Sequence, residues 1–151
     1  MPETQMMRFL LVEDDDAHAA ITLRSLRQNR VANAVDRVAD GALALEYLRR
    51  EGNPRPDIIL LDLNLPKVDG HEVLAALKED PELCIIPVVV LTTSDAEVDR
   101  LRAYQHHANS YLVKPIDFER FREMVRDLSL YWGVWNRPSA DEEACGPGER
   151  R

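Results

Sequence analysis

The chain has 151 residues, 45% of them hydrophobic, the size of one globular domain able to bury about two-thirds of the surface its unfolded form exposes. Asp plus Glu number 27 against 19 Lys plus Arg, and a net charge of −8 gives no help in holding a phosphate backbone, which argues against direct nucleic-acid binding. No apolar run approaches the roughly 20 residues of a membrane span. Met1 to Arg8 lack the basic start and apolar core of a secretory signal. The two cysteines, Cys84 and Cys145, form no CxxC pair, so neither a disulfide framework nor a cysteine zinc site is expected, and Cys84 reads as a small buried hydrophobe. These features together suit a cytoplasmic protein.

Short apolar runs alternate with helical patterns along the chain. Phe9-Leu10-Leu11-Val12 is the first run. Ala17, Ala20 and Ile21 follow at helical spacing, with Leu23 and Leu26 widening the apolar side. A weaker run, Ala34 to Ala39, leads to a helical stretch from Ala42 to Arg50, with Ala44 and Leu48 one turn apart and Leu45 beside them. Pro54 and Pro56 then punctuate the chain before Ile58-Ile59-Leu60-Leu61. Pro66 and Gly70 break the loop after it, and Val73 and Leu77 mark a helix from His71 to Lys78. Pro87 precedes Val88-Val89-Val90-Leu91. A more polar helix begins near Asp95, with Ser94 as its N-cap and Val98 and Leu101 as its apolar positions. Tyr111-Leu112-Val113 is the fifth run. Asp117 caps a last helix, Phe118 to Trp132, built on Phe121, Val125 and Leu128.

The first, third and fourth runs are continuously apolar and rich in branched residues, as strands covered on both faces are. Regular alternation of strand and helix predicts a parallel sheet with helices on both faces and right-handed crossovers. Five strands at this length favour the flavodoxin-like (βα)5 arrangement, order 2-1-3-4-5. The expected division is a domain over residues 1–136, with an aromatic extension of the last helix at about 129–136, and a flexible tail over 137–151.

The strand ends carry the chemistry. The first run ends in Glu13-Asp14-Asp15-Asp16, the third in Asp62, the fourth in Thr92-Thr93-Ser94 and the fifth in Lys114-Pro115. A parallel sheet puts all four ends on one edge, where such folds bind ligands. Glu13, Asp14 and Asp62 repel one another unless positive charge intervenes, and Lys114 supplies only one such charge. The remainder invites a divalent cation with oxygen ligands, Mg²⁺ or Mn²⁺. Asp62 can then act as a nucleophile toward a phosphoryl group, with the cation, Lys114 and the Thr92 hydroxyl offsetting charge on the phosphoryl oxygens. Pro115 holds Lys114 extended, and a cis bond there would turn its amine inward.

Glu13-Asp14, Asp62, Thr92 and Lys114-Pro115, with Leu61-Asp62-Leu63-Asn64-Leu65-Pro66 and Asp69-Gly70, resemble the signature of two-component response-regulator receiver domains. Thr92 lies 30 residues after Asp62 and Lys114 lies 52 after it, and the resemblance covers residues 6–132. It implies that Asp62 takes a phosphoryl group from a histidine kinase. It implies a metal held by Asp14, by Glu13 through a bound water, by Asp62 and by the backbone carbonyl of Asn64. Lys114 and Thr92 would contact the phosphoryl group, and Thr92 and Tyr111 would form the switch pair. Glu13 departs from the Asp that many receivers carry there and is one methylene longer.

A finer resemblance rests on Pro87 to Ser94, Ala108-Asn109-Ser110-Tyr111-Leu112 and Leu130-Tyr131-Trp132. These are similar to the single-domain regulators that partner phytochrome-type (including bacteriophytochrome) histidine kinases. That resemblance implies a light-sensing kinase as donor and a homodimer, with Tyr131, Trp132 and Trp135 as contact candidates. The 19 residues after Trp132 are too few for a DNA-binding fold, so output is expected through protein contact, to an effector or a phosphotransfer protein.

Competing readings have specific weaknesses. An Mg²⁺-dependent aspartyl-phosphate phosphatase resembles Asp-x-Asp at its nucleophile, but Asn64 stands at the second position and cannot transfer a proton. A nucleotide or flavin binder lacks any Gly-rich phosphate loop after the first strand. A scaffold that has lost phosphorylation has no reason to keep the whole set. Among the histidines, His106 and His107 read as a solvated helix end, His71 as a helix start, and His18 either as rim of the site or as simply exposed.

Overall fold

The structure, a computed structural model, describes residues 7–28 and 32–135. The tail expected over 137–151 therefore lies outside the described residues, as does Cys145. Five strands, β1 (Met7–Val12), β2 (Ala32–Val38), β3 (Ile58–Leu61), β4 (Val88–Thr92) and β5 (Ser110–Val113), form one parallel sheet in the order β2-β1-β3-β4-β5. The helices are α1 (Asp16–Gln28), α2 (Gly41–Arg49), α3 (Gly70–Glu79), α4 (Glu97–Gln105) and α5 (Phe118–Leu130). A π-helical turn, Tyr131–Trp135, continues α5. This is the flavodoxin-like arrangement expected from the strand pattern. Among the described residues no helix is long and apolar enough to cross a membrane.

Alternation along the strands divides the core in two. Phe9, Leu11, Ile58, Leu60, Val89 and Leu91 face α1 and α5, where Ala19, Leu26, Phe121, Val125, Leu128 and Trp132 close over them. Leu10, Val12, Ile59, Leu61, Val88 and Val90 face the opposite way, onto Ala44, Val73, Leu74, Leu77 and Ala103. Each fully buried aliphatic side chain contributes about 1.5–3 kcal/mol relative to exposure.

Two helices present faces other than those expected. On α1 Leu26 is buried and Ile21 and Leu23 pack against the core as expected, but Ala19, Thr22 and Ser25 are buried with them while Ala17 and Ala20 are exposed. Small side chains let α1 lie close to its neighbours, and the Thr22 hydroxyl satisfies itself by donating to the His18 carbonyl at 2.8 Å. On α4 only Ala103 is buried; Val98 and Leu101 are 73% and 59% exposed. Ser94 is not its N-cap: Ala96 holds that position without a side-chain bond. Asp117 caps α5 as expected, accepting from the N–H groups of Glu119 and Arg120. Cys84 is buried, as expected of a small hydrophobe.

Candidate functional site

Register brings the strand ends level. Val12 pairs with Leu61, Leu61 with Val90, and Thr92 with Val113, so the residues that follow emerge together at one edge. Glu13 still belongs to the sheet, its N–H donating to Val38 O at 3.1 Å, and its side chain is buried. Asp62 N–H donates to Val12 O at 3.0 Å, and Asp62 Oδ1 accepts from Asn64 N–H at 3.2 Å. The carboxylates of Glu13, Asp14 and Asp62 each offer an oxygen within 4.8 Å of the others, with Asp14 exposed and the other two buried.

Lys114 enters from the far side of the sheet. Its N–H donates to Thr92 O at 2.7 Å, and its buried ammonium donates to Glu13 Oε1 and, at 3.4 Å, to Asp62 Oδ2. No described peptide bond is cis, and the amine reaches the carboxylates without one. Thr92 is fully buried, and its Oγ1 accepts from Ser94 N–H at 3.3 Å. The Tyr111 hydroxyl donates to Ser94 O at 2.9 Å, which ties β5 to the same loop. The structure thus gathers Glu13, Asp14, Asp62 and Lys114 into one cluster, with Thr92 at the end of β4 beside it.

Burial, then the adjoining Asp62 carboxylate, push the Glu13 carboxyl up to about 8 against the pull of the Lys114 ammonium. With Glu13 ionised, as cation binding requires, three carboxylates against one ammonium leave a formal excess of two negative charges in an all-oxygen donor set. That chemistry fits a hard divalent cation. The acidic cluster can hold Mg²⁺ or Mn²⁺.

Sequence reasoning missed three supporting contacts. Arg37 on β2 donates through Nε to Glu13 O at 3.0 Å and through its terminal nitrogen to Asp14 O at 3.3 Å, and pairs with Asp16 at 2.9 Å. It fixes the acidic loop from an edge strand that reads weakly in sequence. His18 accepts from Lys114. His71 is 5% exposed, its Nε2 3.2 Å from Asp99 Oδ1 and its Nδ1 without a hydrogen-bond partner among the described residues.

Asp99 also accepts from the Ser94 hydroxyl, so one carboxylate joins α3, α4 and the loop that carries Tyr111's contact. Ser94 and then His71 hold the Asp99 carboxyl below its ordinary value of 3.8. A lowered folded value means stability that is present above the ordinary value and lost as pH falls through the folded one. Asp99→Asn is therefore expected to destabilise the protein by about 1–2 kcal/mol at neutral pH. The difference from wild type should shrink at about pH 3, as read by urea denaturation at both pH values.

The chain belongs to the response regulator receiver domain family, whose model matches residues 9–126. A probable methanogenesis regulatory protein, FilR2 of Methanothrix harundinacea, is 49% identical over 131 residues, covering 85% of this chain and 84% of that one. Response regulator Rcp1 of Synechocystis sp. is 42% identical over 127 residues, 82% of this chain and 86% of its own. The crystal structure of Mn²⁺-bound Rcp1 matches with a TM-score of 0.84 at 39% identity, over 89% of this chain and 99% of that one. The phosphorylated cyanobacterial phytochrome response regulator RcpA matches with a TM-score of 0.85 at 41% identity, over 89% of this chain and 100% of that one.

Proposed function

We propose that this protein is a phosphoacceptor switch: Asp62 takes a phosphoryl group from a sensor histidine kinase, and the altered domain signals by protein contact. The observation that carries the reading is the cluster itself, three carboxylates within 4.8 Å of one another with an ammonium bonded to two of them. In the transfer an Asp62 carboxylate oxygen forms the new O–P bond while the donor's N–P bond breaks. The N–P electron pair stays on the donor nitrogen, and because the donor ring's other nitrogen carries a proton the leaving group is a neutral imidazole. A divalent cation held by Glu13, Asp14, Asp62 and the Asn64 carbonyl supplies positive charge against the phosphoryl oxygens when bound. Lys114 donates to a second phosphoryl oxygen and the Thr92 hydroxyl to a third. As Thr92 turns toward the phosphoryl group, Tyr111 exchanges its Ser94 contact for an inward position, altering the face of α4, β5 and α5.

The protein acts as a regulatory domain rather than an enzyme with turnover, because Asn64 offers no acid for a phosphatase cycle. The unit over 1–136 works in the cytoplasm. Its kinase is phytochrome-type, a reading supported by likeness to RcpA and to the single-domain regulators. The methanogenesis regulator FilR2 is more identical to this chain than Rcp1 is, so a kinase of another input is the competing donor. Phosphotransfer from a phytochrome kinase against a non-phytochrome kinase separates the two.

A homodimer is supported by a cavity of about 540 Å³ on the β5–α5 face, lined by Leu112, Met124, Tyr131 and Trp132 among others. Tyr131 is 54% exposed there, whereas Trp132 is 7% exposed and joins the domain's own core. The side chain of Trp135 lies outside the described residues.

The reading is tested by intact-protein mass after exposure to acetyl phosphate with and without Mg²⁺. One adduct of about 80 Da that requires Mg²⁺ is expected. No adduct under conditions that trap aspartyl phosphates overturns the proposal.

A further inference from the structure

His18 is neither a metal ligand nor a member of the switch pair, yet it touches the site's cation. Its Nδ1 lies 3.1 Å from Lys114 Nζ. An ammonium has three N–H donors and no acceptor, so at this contact Nδ1 is the bare nitrogen and accepts. Glu13 Oε1, Asp62 Oδ2 and His18 Nδ1 therefore take one Lys114 proton each. Two of these acceptors are carboxyl oxygens of residues that follow β1 and β3; the third is an imidazole nitrogen on α1.

The imidazole is held where it is. His18 N–H donates to Asp15 Oδ1 at 3.0 Å in the first turn of α1, and His18 O accepts from the Thr22 hydroxyl. Its ring lies against Phe121 of α5, with centroids 5.9 Å apart. One edge stays open, the side chain being 32% exposed.

We propose that His18 is a positioning residue for Lys114, anchoring the ammonium from the α1 side so that its other two protons point into the carboxylate cluster. The proposal deepens the phosphoacceptor reading and rests on it. A lysine amine rides on four flexible carbons. With only the two carboxylates to bind, it is drawn down between them. Lys114 must release those carboxylates to meet an incoming phosphoryl oxygen. A neutral acceptor binds the ammonium less tightly than a carboxylate does, and keeps one proton occupied on the opposite side while the others change partners. The amine then pivots on His18 instead of searching.

Two variants test this. His18→Phe keeps an aromatic ring against Phe121 but removes the acceptor; His18→Asn keeps an acceptor near the Nδ1 position. At saturating acetyl phosphate and Mg²⁺, His18→Phe is expected to be phosphorylated about five- to tenfold more slowly, with the half-saturating acetyl phosphate concentration unchanged. His18→Asn recovers most of the rate. Equal rates for wild type and His18→Phe overturn the proposal, as do equally slow rates for both variants, which would make the role one of packing.

A readout without phosphorylation keeps the two readings apart. Exchange of the Lys114 ammonium protons with water, followed by nitrogen-15 NMR, is expected to be several times faster in His18→Phe and to be restored in His18→Asn. Unchanged exchange overturns the His18 role even if wild type phosphorylates. If wild type forms no adduct, the phosphoacceptor reading falls, and the exchange rates alone decide whether His18 holds the amine.

Discussion

Asp62→Asn protein is expected to take up no phosphoryl group from acetyl phosphate and Mg²⁺, and its Glu13 is expected to titrate lower than in wild type. The first outcome follows because an amide oxygen is a far weaker nucleophile than a carboxylate. Asn64 N–H donates to Asp62 Oδ1 at 3.2 Å, a bond that an amide oxygen keeps, so the loop stays in place. Retained phosphorylation in the variant, read by intact mass, would move the acceptor elsewhere.

The second outcome has its own sign. Asp62 contributes to raising Glu13 to about 8 from an ordinary 4.5, both by hydrogen bonding and by charge. A raised folded value gives stability that is full below 4.5 and lost as pH rises through about 8. Without a divalent cation, wild type should therefore lose stability across that window. Asp62→Asn should lose less of it, because Glu13 gives up its proton with less resistance. Urea denaturation at a series of pH values reads the slope, and NMR titration of the Glu13 carboxyl reads the group.

Gly70→Ala is expected to destabilise the fold by about 3 kcal/mol and to slow phosphorylation about a hundredfold. Gly70 opens α3, and its N–H donates to Leu63 O at 2.9 Å, folding the loop back on the residues after β3. A methyl group there would lie 2.4 Å from Asp62 O and 2.4 Å from Leu63 Cα. Those atoms are backbone and cannot step aside as a side chain would. The strain passes directly to the segment that aims the Asp62 carboxylate. Gly52→Ala is the control: its φ of +91° strains any side chain, but open space surrounds it. It should lose about 1 kcal/mol of stability and keep the phosphorylation rate. Gly70→Ala behaving like that control would mean the loop yields without moving Asp62.

The parts legible in the sequence were those written in local hydropathy. Ile58 to Leu61 and Val88 to Val90 are covered on both faces, so they read as unbroken apolar runs and fix the strands. The acids and the lysine then fall at strand ends, and parallel order alone brings them to one edge. The misread parts depend on which neighbour a helix meets. Ala17 and Ala20 fit an apolar stripe as well as Ala19 and Thr22 do, and only the approach of α5 selects the second pair. Val98 and Leu101 look like core positions, but the sheet takes only Ala103 from that helix. Arg37 as part of the site, and Lys114 as the partner of His18, were not legible for a different reason. One acts from an edge strand across 24 positions, the other across 96, and no local pattern encodes either partner.

The wide separation in sequence has a consequence for how the protein comes into being. Glu13 and its ammonium partner Lys114 stand 101 residues apart, and β5 joins the sheet only through β4. During synthesis the acidic pair at the end of β1, and then Asp62, leave the ribosome well before Lys114 does. Until β5 adds to the edge, the nascent domain carries its carboxylates without their cationic counterpart. Closing that long loop belongs to the slow, non-local phase of folding. Repulsion among those acids is thus met by Lys114 only at the end of folding, when β5 takes its place beside β4.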